Sequence, residues 1–480
     1  MAATWVTMTT PDLPRAPRPP TSGLVRHLTS ADFRDGPVVL SQPGTRYVLM
    51  EDVVFNFPEP AAKESPHHLG FPFGIAVGAS QVVLDLNGKT LRMHPNFRER
   101  QRFFALVSLD VTPFPVGRLG FTTEPVAPTD VVVRNGTLGL SSHFGIHANT
   151  LREGRLLLSD LHFEDFEVGA ISLSGASDVH IRRCTVGGAV PPTTTSDVVM
   201  LRDLAAAARD AGAHSESAKL LQIMAKQKRN LTSSDALVRA IVIAPEFNVN
   251  GVPKHFKKRI QRTAINDCTF ADLRAEPREV IGIALAEGGA PIKDLHGNIV
   301  SHDDARAGAL VSRLQAAFSP DMPRVARQRL MAGPSSAFYP VTGLDRRAHS
   351  LVGKSSLFVR VDGCDSVTLR NIRAATVSSH GPHAAAVGIM LNGCKNVSLA
   401  HVSVRGSRVD HEGARDPLSL DRPQSGVLFR NTAHVRVDDY HYPSADSCGV
   451  AAVEMQDARF VRCKMGAPST FLHCRHVSME

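Results

Sequence analysis

The sequence predicts an all-β fold, a right-handed parallel β-helix (a solenoid), on three observations. An aliphatic residue recurs with apolar residues three and five positions after it. The residue two positions after it is polar, and is Asn or Asp in five of eight copies. A short apolar strand, usually opened by Gly, accompanies most copies. Periods of 20 to 50 residues with short strands and Gly or Asn turns are the mark of a repeat architecture.

The aliphatic reference position falls at Val133, Leu158, Ile181, Ile265, Leu369, Leu399, Val437 and Phe460. Three residues on stand Gly136, Leu161, Cys184, Cys268, Ile372, Val402, Tyr440 and Cys463. Five on stand Leu138, Phe163, Val186, Phe270, Ala374, Val404, Tyr442 and Met465. The intervening column reads Asn135, Asp160, Arg183, Asp267, Asn371, His401, Asp439 and Arg462. Asn and Asp tolerate the left-handed backbone that bends one strand into the next. The accompanying strands start near Ile146, Ile171, Ile283, Ile389, Val427 and Val450. Alternation turns Ile171 and Leu173 inward and Ser172 and Ser174 outward. A leucine-rich repeat is the alternative, but its Leu-x-x-Leu-x-Leu-x-x-Asn signature is missing.

Taken in order, residues 1–23 hold five prolines with Thr and Arg and read as a disordered arm. Residues 24–480 read as one β-helix domain. Its leading strands lie within 37–57, and 81–93, with the turn Asn87-Gly88, is the first clear coil. Phe103, Phe104 and Phe121 are placed to cap the open end. The repeat is interrupted by 84 residues from Ile181 to Ile265 and by 104 from Ile265 to Leu369. Ser-capped, Ala- and Leu-rich stretches there predict mainly helical insertions over 191–262 and 290–355. Phe358 to Asp362 reads as a further strand. The basic run Lys254 to Arg259 reads as a solvated face.

Composition narrows the function. Hydrophobic residues make up 43% and aromatics only 6%, which suits a narrow core of Val, Ile, Leu and Ala. The net charge of +8 is spread among acids, so a nucleic-acid partner is not expected, while an anionic polymer would be attracted. Seven Cys without metal-site spacing read as core thiols, with Cys184, Cys268 and Cys463 inside the tube. No cofactor and no metal are expected. No apolar run has the length of a signal peptide or membrane span, so a virion or cytoplasmic location is expected rather than conventional secretion.

The candidate binding face is the strand row that presents His147, Asn149, Ser172, Ser174, Arg360, Asp362, Asn392 and Arg430, with His143 at the loop edge. Polar side chains at strand spacing suit a polysaccharide or other glycan. Loops lengthen between Phe270 and Val427 and would raise a wall beside that row. In an enzyme, His380, His383 and His411 would be the acid–base candidates, and Arg360 and Arg430 would bind substrate carboxylates. The alternative for the histidines is turn and loop hydrogen bonding. Asp438-Asp439 has the look of a glycosidase acid pair, but Asp439 belongs to the bend column, which favours turn chemistry. Asp410-His411-Glu412 lies in the longest loop.

These repeats resemble the pectin-lyase-like right-handed β-helix superfamily over roughly residues 80–480, insertions excepted. The superfamily holds polysaccharide lyases, polygalacturonases, epimerases, phage tailspikes and non-enzymatic surface proteins. The chain departs from the enzyme patterns: Ser379-His380-Gly381 precedes Asp438-Asp439, and no Arg-Ile-Lys follows. The segments VVVRNGTLGLSSHFGIHANT and DFEVGAISLSGA resemble uncharacterised β-helix proteins of large DNA viruses and protists. The resemblance implies a non-catalytic structural or glycan-binding protein among virion or surface proteins, with a homo-oligomer in view because tailspikes are trimers. The alternative is a lyase, hydrolase or epimerase acting on an acidic polysaccharide.

Overall fold

The structure, a computed structural model, describes residues 11–20, 22–57, 73–95, 97, 105–109, 128–141, 144–148, 154–189, 238–245, 259–275, 355–380, 385–410, 424–445 and 447–480. Almost all of the regular structure is β. The strands form two sheets with parallel pairing throughout: sheet A, with 17 strands among the described residues, and sheet B, with 11. The chain alternates between them, so each coil adds to both. This is a parallel β-helix.

All eight reference residues stand side by side in one ladder of sheet A, from Val133 through Leu158, Ile181, Ile265, Leu369, Leu399 and Val437 to Phe460. None is more than 1% exposed, because one slip of register would turn the whole set outward. The bend column behaves as its composition demands. Asn135, Asp160, Arg183, Asp267, Asn371, His401, Asp439 and Arg462 all have φ between 50° and 59°. Arg183, His401 and Arg462 lack the short polar side chain that eases this conformation, yet they take it, since the coils above and below fix the bend.

The two long interruptions each amount to one coil. Ile181 pairs directly with Ile265, and Ile265 with Leu369. Among the described residues, each interval contributes one strand to sheet B, Val238–Ala244 and Ser355–Asp362. The expectation of a helical insertion over 191–262 is therefore corrected for its described part. Residues 238–244 pair with strands on both sides, and residues 260–262 open the strand Ile260–Asn266. The sequence RAIVIA carries the two-sided apolar pattern of a covered strand and too few residues for a helix. The rest of 191–262, and 290–355 apart from Ser355, lie outside the described residues, as do Phe103, Phe104 and Phe121.

One core cluster runs from Leu28 to Ala467. Cys184, Cys268, Cys364 and Cys394 are buried in it, while Cys463 is partly exposed and packs against its C-terminal end. Burial pushes the Cys364 thiol up to about 11. The described part of the proline-rich arm, residues 11–20, has no helix or strand but is tied along the coils. The Arg15 amide donates to Asp178 (3.1 Å), and the Arg18 amide and Nε donate to Asp130 (2.9 and 3.1 Å). The Ser22 hydroxyl then reaches the Gly44 carbonyl, and Val25–Leu28 joins sheet A.

Candidate functional site

Register on sheet B brings the predicted polar residues together. His147 pairs with Ser172, Ser172 with Val242, Val242 with Arg360, and Arg360 with Met390, in one ladder. The neighbouring ladder carries Ser174 beside Ala244 and, further on, Asp362 beside Asn392 beside Arg430. These are outward positions, two residues apart along each strand.

The row is not an open groove. Ser172, Ser174, Arg360 and Asp362 are buried at 1–2% exposure, whereas Asn392 and Arg430 are partly exposed. Beyond Arg360 the same face turns apolar, where Leu357, Val387, Met390, Leu428, Cys448 and Ala451 form a separate buried cluster. Sheet B is thus apolar on both faces over these coils.

Arg360 and Asp362 form a buried ion pair, with Nε donating to Asp362 Oδ2 at 2.8 Å. Asn392 Nδ2 donates to the other carboxylate oxygen at 3.3 Å. Both Nη atoms of Arg360 and the Ser174 hydroxyl are buried and have no hydrogen-bond partner among the described residues. Each such donor loses its water without replacement, which native proteins seldom tolerate.

His147 stacks on Phe144, with ring centroids 5.0 Å apart and planes within 4°. Burial pushes its pKa down to about 4, so the ring is neutral near pH 7 and far from the value that suits a general base there. His143, Asn149, His383 and His411 lie outside the described residues. The backbone of His380 closes the strand Cys364–His380 and pairs with Asp410, and its side chain lies outside the described residues.

The paired acids of the sequence do not converge. Asp438 binds Arg436 (2.6 Å), while Asp439, on the bend, binds His401 Nδ1 (2.7 Å). The His401 hydrogen bond, against an opposing effect of desolvation, lowers the Asp439 pKa. The same column pairs Arg183 with Asp160 through two hydrogen bonds and Asn371 with Asp267. These side chains secure the bend between coils. Among the described residues no group of three or more His, Cys, Asp or Glu could hold a metal ion, and no helix is long and apolar enough to cross a membrane.

The pairing of Arg360 with Asp362 and the shared ladder of Ser174 and Ala244 escaped the sequence reading. The first carried a signal. Arg and Asp two apart on a strand, with Val359, Val361 and Phe358 around them, put opposite charges on one face of a strand set in apolar surroundings.

Fold and site together define a parallel β-helix protein with a buried charged row on one sheet. No protein-family model matches the chain, and no curated protein matches it. Among solved structures it is similar to the surface protein and adhesin PfbA of Streptococcus pneumoniae, with 8% identity, a TM-score of 0.25, and coverage of 94% of this chain and 99% of that one. At that TM-score the likeness says nothing about what this chain binds.

Proposed function

We propose that the protein is a non-catalytic, glycan-binding β-helix of a virion or cell surface, as its resemblance to the pectin-lyase-like superfamily and to viral β-helix proteins suggested. One observation supports the reading above the others. The outer row of sheet B passes from the partly exposed Arg430 and Asn392 to the buried Asp362 and Arg360. That gradient suits a sugar entering at Asn392 and ending on buried hydrogen-bond donors. It favours a chain end or short glycan over a long polymer laid across an open face. A glycan array with the intact protein tests the reading. Retention of a restricted set of glycans, weakened by Asn392→Ala with circular dichroism unchanged, is expected. Retention of none, or release of new reducing ends from a bound glycan, would overturn it.

A second reading is an enzyme acting on an acidic polysaccharide. It draws on the register pairing of His380 with Asp410 at the ends of two neighbouring strands. His is the side chain whose ordinary pKa best suits a general base near neutral pH. Unsaturated products absorbing in the ultraviolet from a polyuronate panel, abolished by His380→Ala, would establish it in place of the first.

A further inference from the structure

We propose that the coil edge carrying Asp130 and Asp178 is a docking site for a proline-rich strand in the polyproline II conformation. The N-terminal arm is its resident ligand, and a proline-rich segment of a partner protein can take the same seat. Pro11, Pro14, Pro17 and Pro20 recur at every third residue. All four are partly buried, whereas Asp12, Leu13, Arg15, Ala16, Arg18 and Pro19 between them are exposed. A burial period of three belongs to polyproline II, with three residues per turn, and not to a strand, whose period is two. Proline fixes the backbone dihedral that this helix needs. One ridge of proline therefore faces the coils.

The seat has a matching rhythm. Val131 pairs with Leu156, which sets Asp130 beside Arg155, and Arg155 pairs with Asp178. The two carboxylates are thus two coils apart, about 9.6 Å, against about 9.3 Å for three residues of polyproline II. Proline has no N–H, so the residue after it must supply the donor. The amides of Arg15 and Arg18, each directly after a ridge proline, donate to Asp178 and Asp130. Both aspartates are buried, and Arg155 and Arg262 bind them from the coils, so the acceptors are oriented whether or not the arm is seated.

The recognition is not private to the arm. Apart from Arg18 Nε on Asp130, the described hydrogen bonds of residues 11–20 come from the backbone. Any strand with proline at every third residue presents the same ridge and the same amides, and a basic side chain supplies the contact to Asp130. Gly23, at φ 64° and with nothing within 4 Å of a Cβ built on it, is the joint about which the arm can lift. The tether gives the arm an effective concentration on the order of millimolar, so it masks the seat against weak ligands.

The test is fluorescence anisotropy with a labelled peptide of residues 11–20 titrated into the full chain. Arg15→Pro with Arg18→Ala removes an amide donor and the guanidinium from the tethered arm and leaves the coils untouched. That double variant is expected to bind the peptide at least about tenfold more tightly than the parent, whose own arm fills the seat. A peptide lacking Ala16 keeps its charge but breaks the triplet, and should bind at least about tenfold more weakly. A peptide with Ala16→Pro keeps the ridge and both donors, and should bind at least as well as the unaltered one. No binding to the double variant would overturn the site. Equal binding of the peptide lacking Ala16 would reduce the contact to charge attraction and overturn the polyproline II reading. Self-association of the parent that the peptide disperses would assign the seat to a second copy and overturn the partner assignment.

Discussion

Replacing Gly426 with Ala should destabilise the coil that carries it by about 3 kcal/mol. Gly426 lies in the strand Gln424–Arg430 and turns into the tube. A Cβ built there would collide with the Tyr440 hydroxyl and lie 2.5 and 2.8 Å from Cδ2 and Cε2 of Tyr442. Neither ring can yield easily. Tyr440 donates to the Gly449 carbonyl at 3.1 Å, and the Tyr442 hydroxyl is hydrogen-bonded to Ser407 and Ser447. Overpacking a filled core costs roughly 1–3 kcal/mol. Losing the Tyr440 hydrogen bond adds about 1 kcal/mol. By native-state hydrogen exchange, the strands 424–430 and 433–442 should lose about two orders of magnitude of protection, the equivalent of about 3 kcal/mol. Tyr440→Phe removes the colliding oxygen, so the double variant should recover part of the loss, and the coupling should appear in a double-mutant cycle. A Gly426→Ala protein within about 0.5 kcal/mol of the parent would refute the packing argument, since that is the scale of an ordinary surface substitution.

Three further outcomes follow from the same structure. His147 has a folded pKa of about 4 against an ordinary 6.5, so the unfolded chain takes the proton first. Stability should then fall as pH drops from about 6.5 to 4, by at most about 3 kcal/mol, and His147→Phe should flatten that part of a melting-temperature profile. Thiol labelling of the native protein should modify Cys463 and Cys474, which are partly exposed, and spare Cys184, Cys268, Cys364, Cys394 and Cys448 until the chain unfolds; early labelling of Cys184 would contradict the register. Arg462 sits at φ 52°, so Arg462→Asn should raise stability by about 0.5–1 kcal/mol in urea titration, because Asn adopts that backbone at lower cost.

The coils were readable because their signal is periodic. A bend that recurs beside the same inward residues can be placed even where the residue type is wrong for it, as at Arg183, His401 and Arg462. The strand Val238–Ala244 was missed because Ala240 replaces the opening Gly and long insertions separate it from its neighbours in sequence. The outer face of sheet B was read as solvent-facing by assuming alternation, but Ala385–Asn392 and Cys448–Val453 are apolar on both faces, the pattern of a strand covered on both sides. Burial of Arg360 followed from that cover. A sequence can show a charge on a strand, but not whether the surface above it is open.

The proline-rich arm alters how the N-terminal end of the stack can come apart. A solenoid couples each coil only to the two beside it, so its end ordinarily frays one coil at a time. Here a single thread is tied at Asp178, Asp130 and Gly44, on coils that are not nearest neighbours. Asp12, further along the thread, adds its charge to the field that raises the pKa of Arg262, a residue whose own hydrogen bond to Asp178 is the larger cause. The terminal coil cannot peel away while the thread stays seated on the deeper ones. Loss of the end becomes a collective event, with a higher threshold and a sharper onset than the separate coils would show.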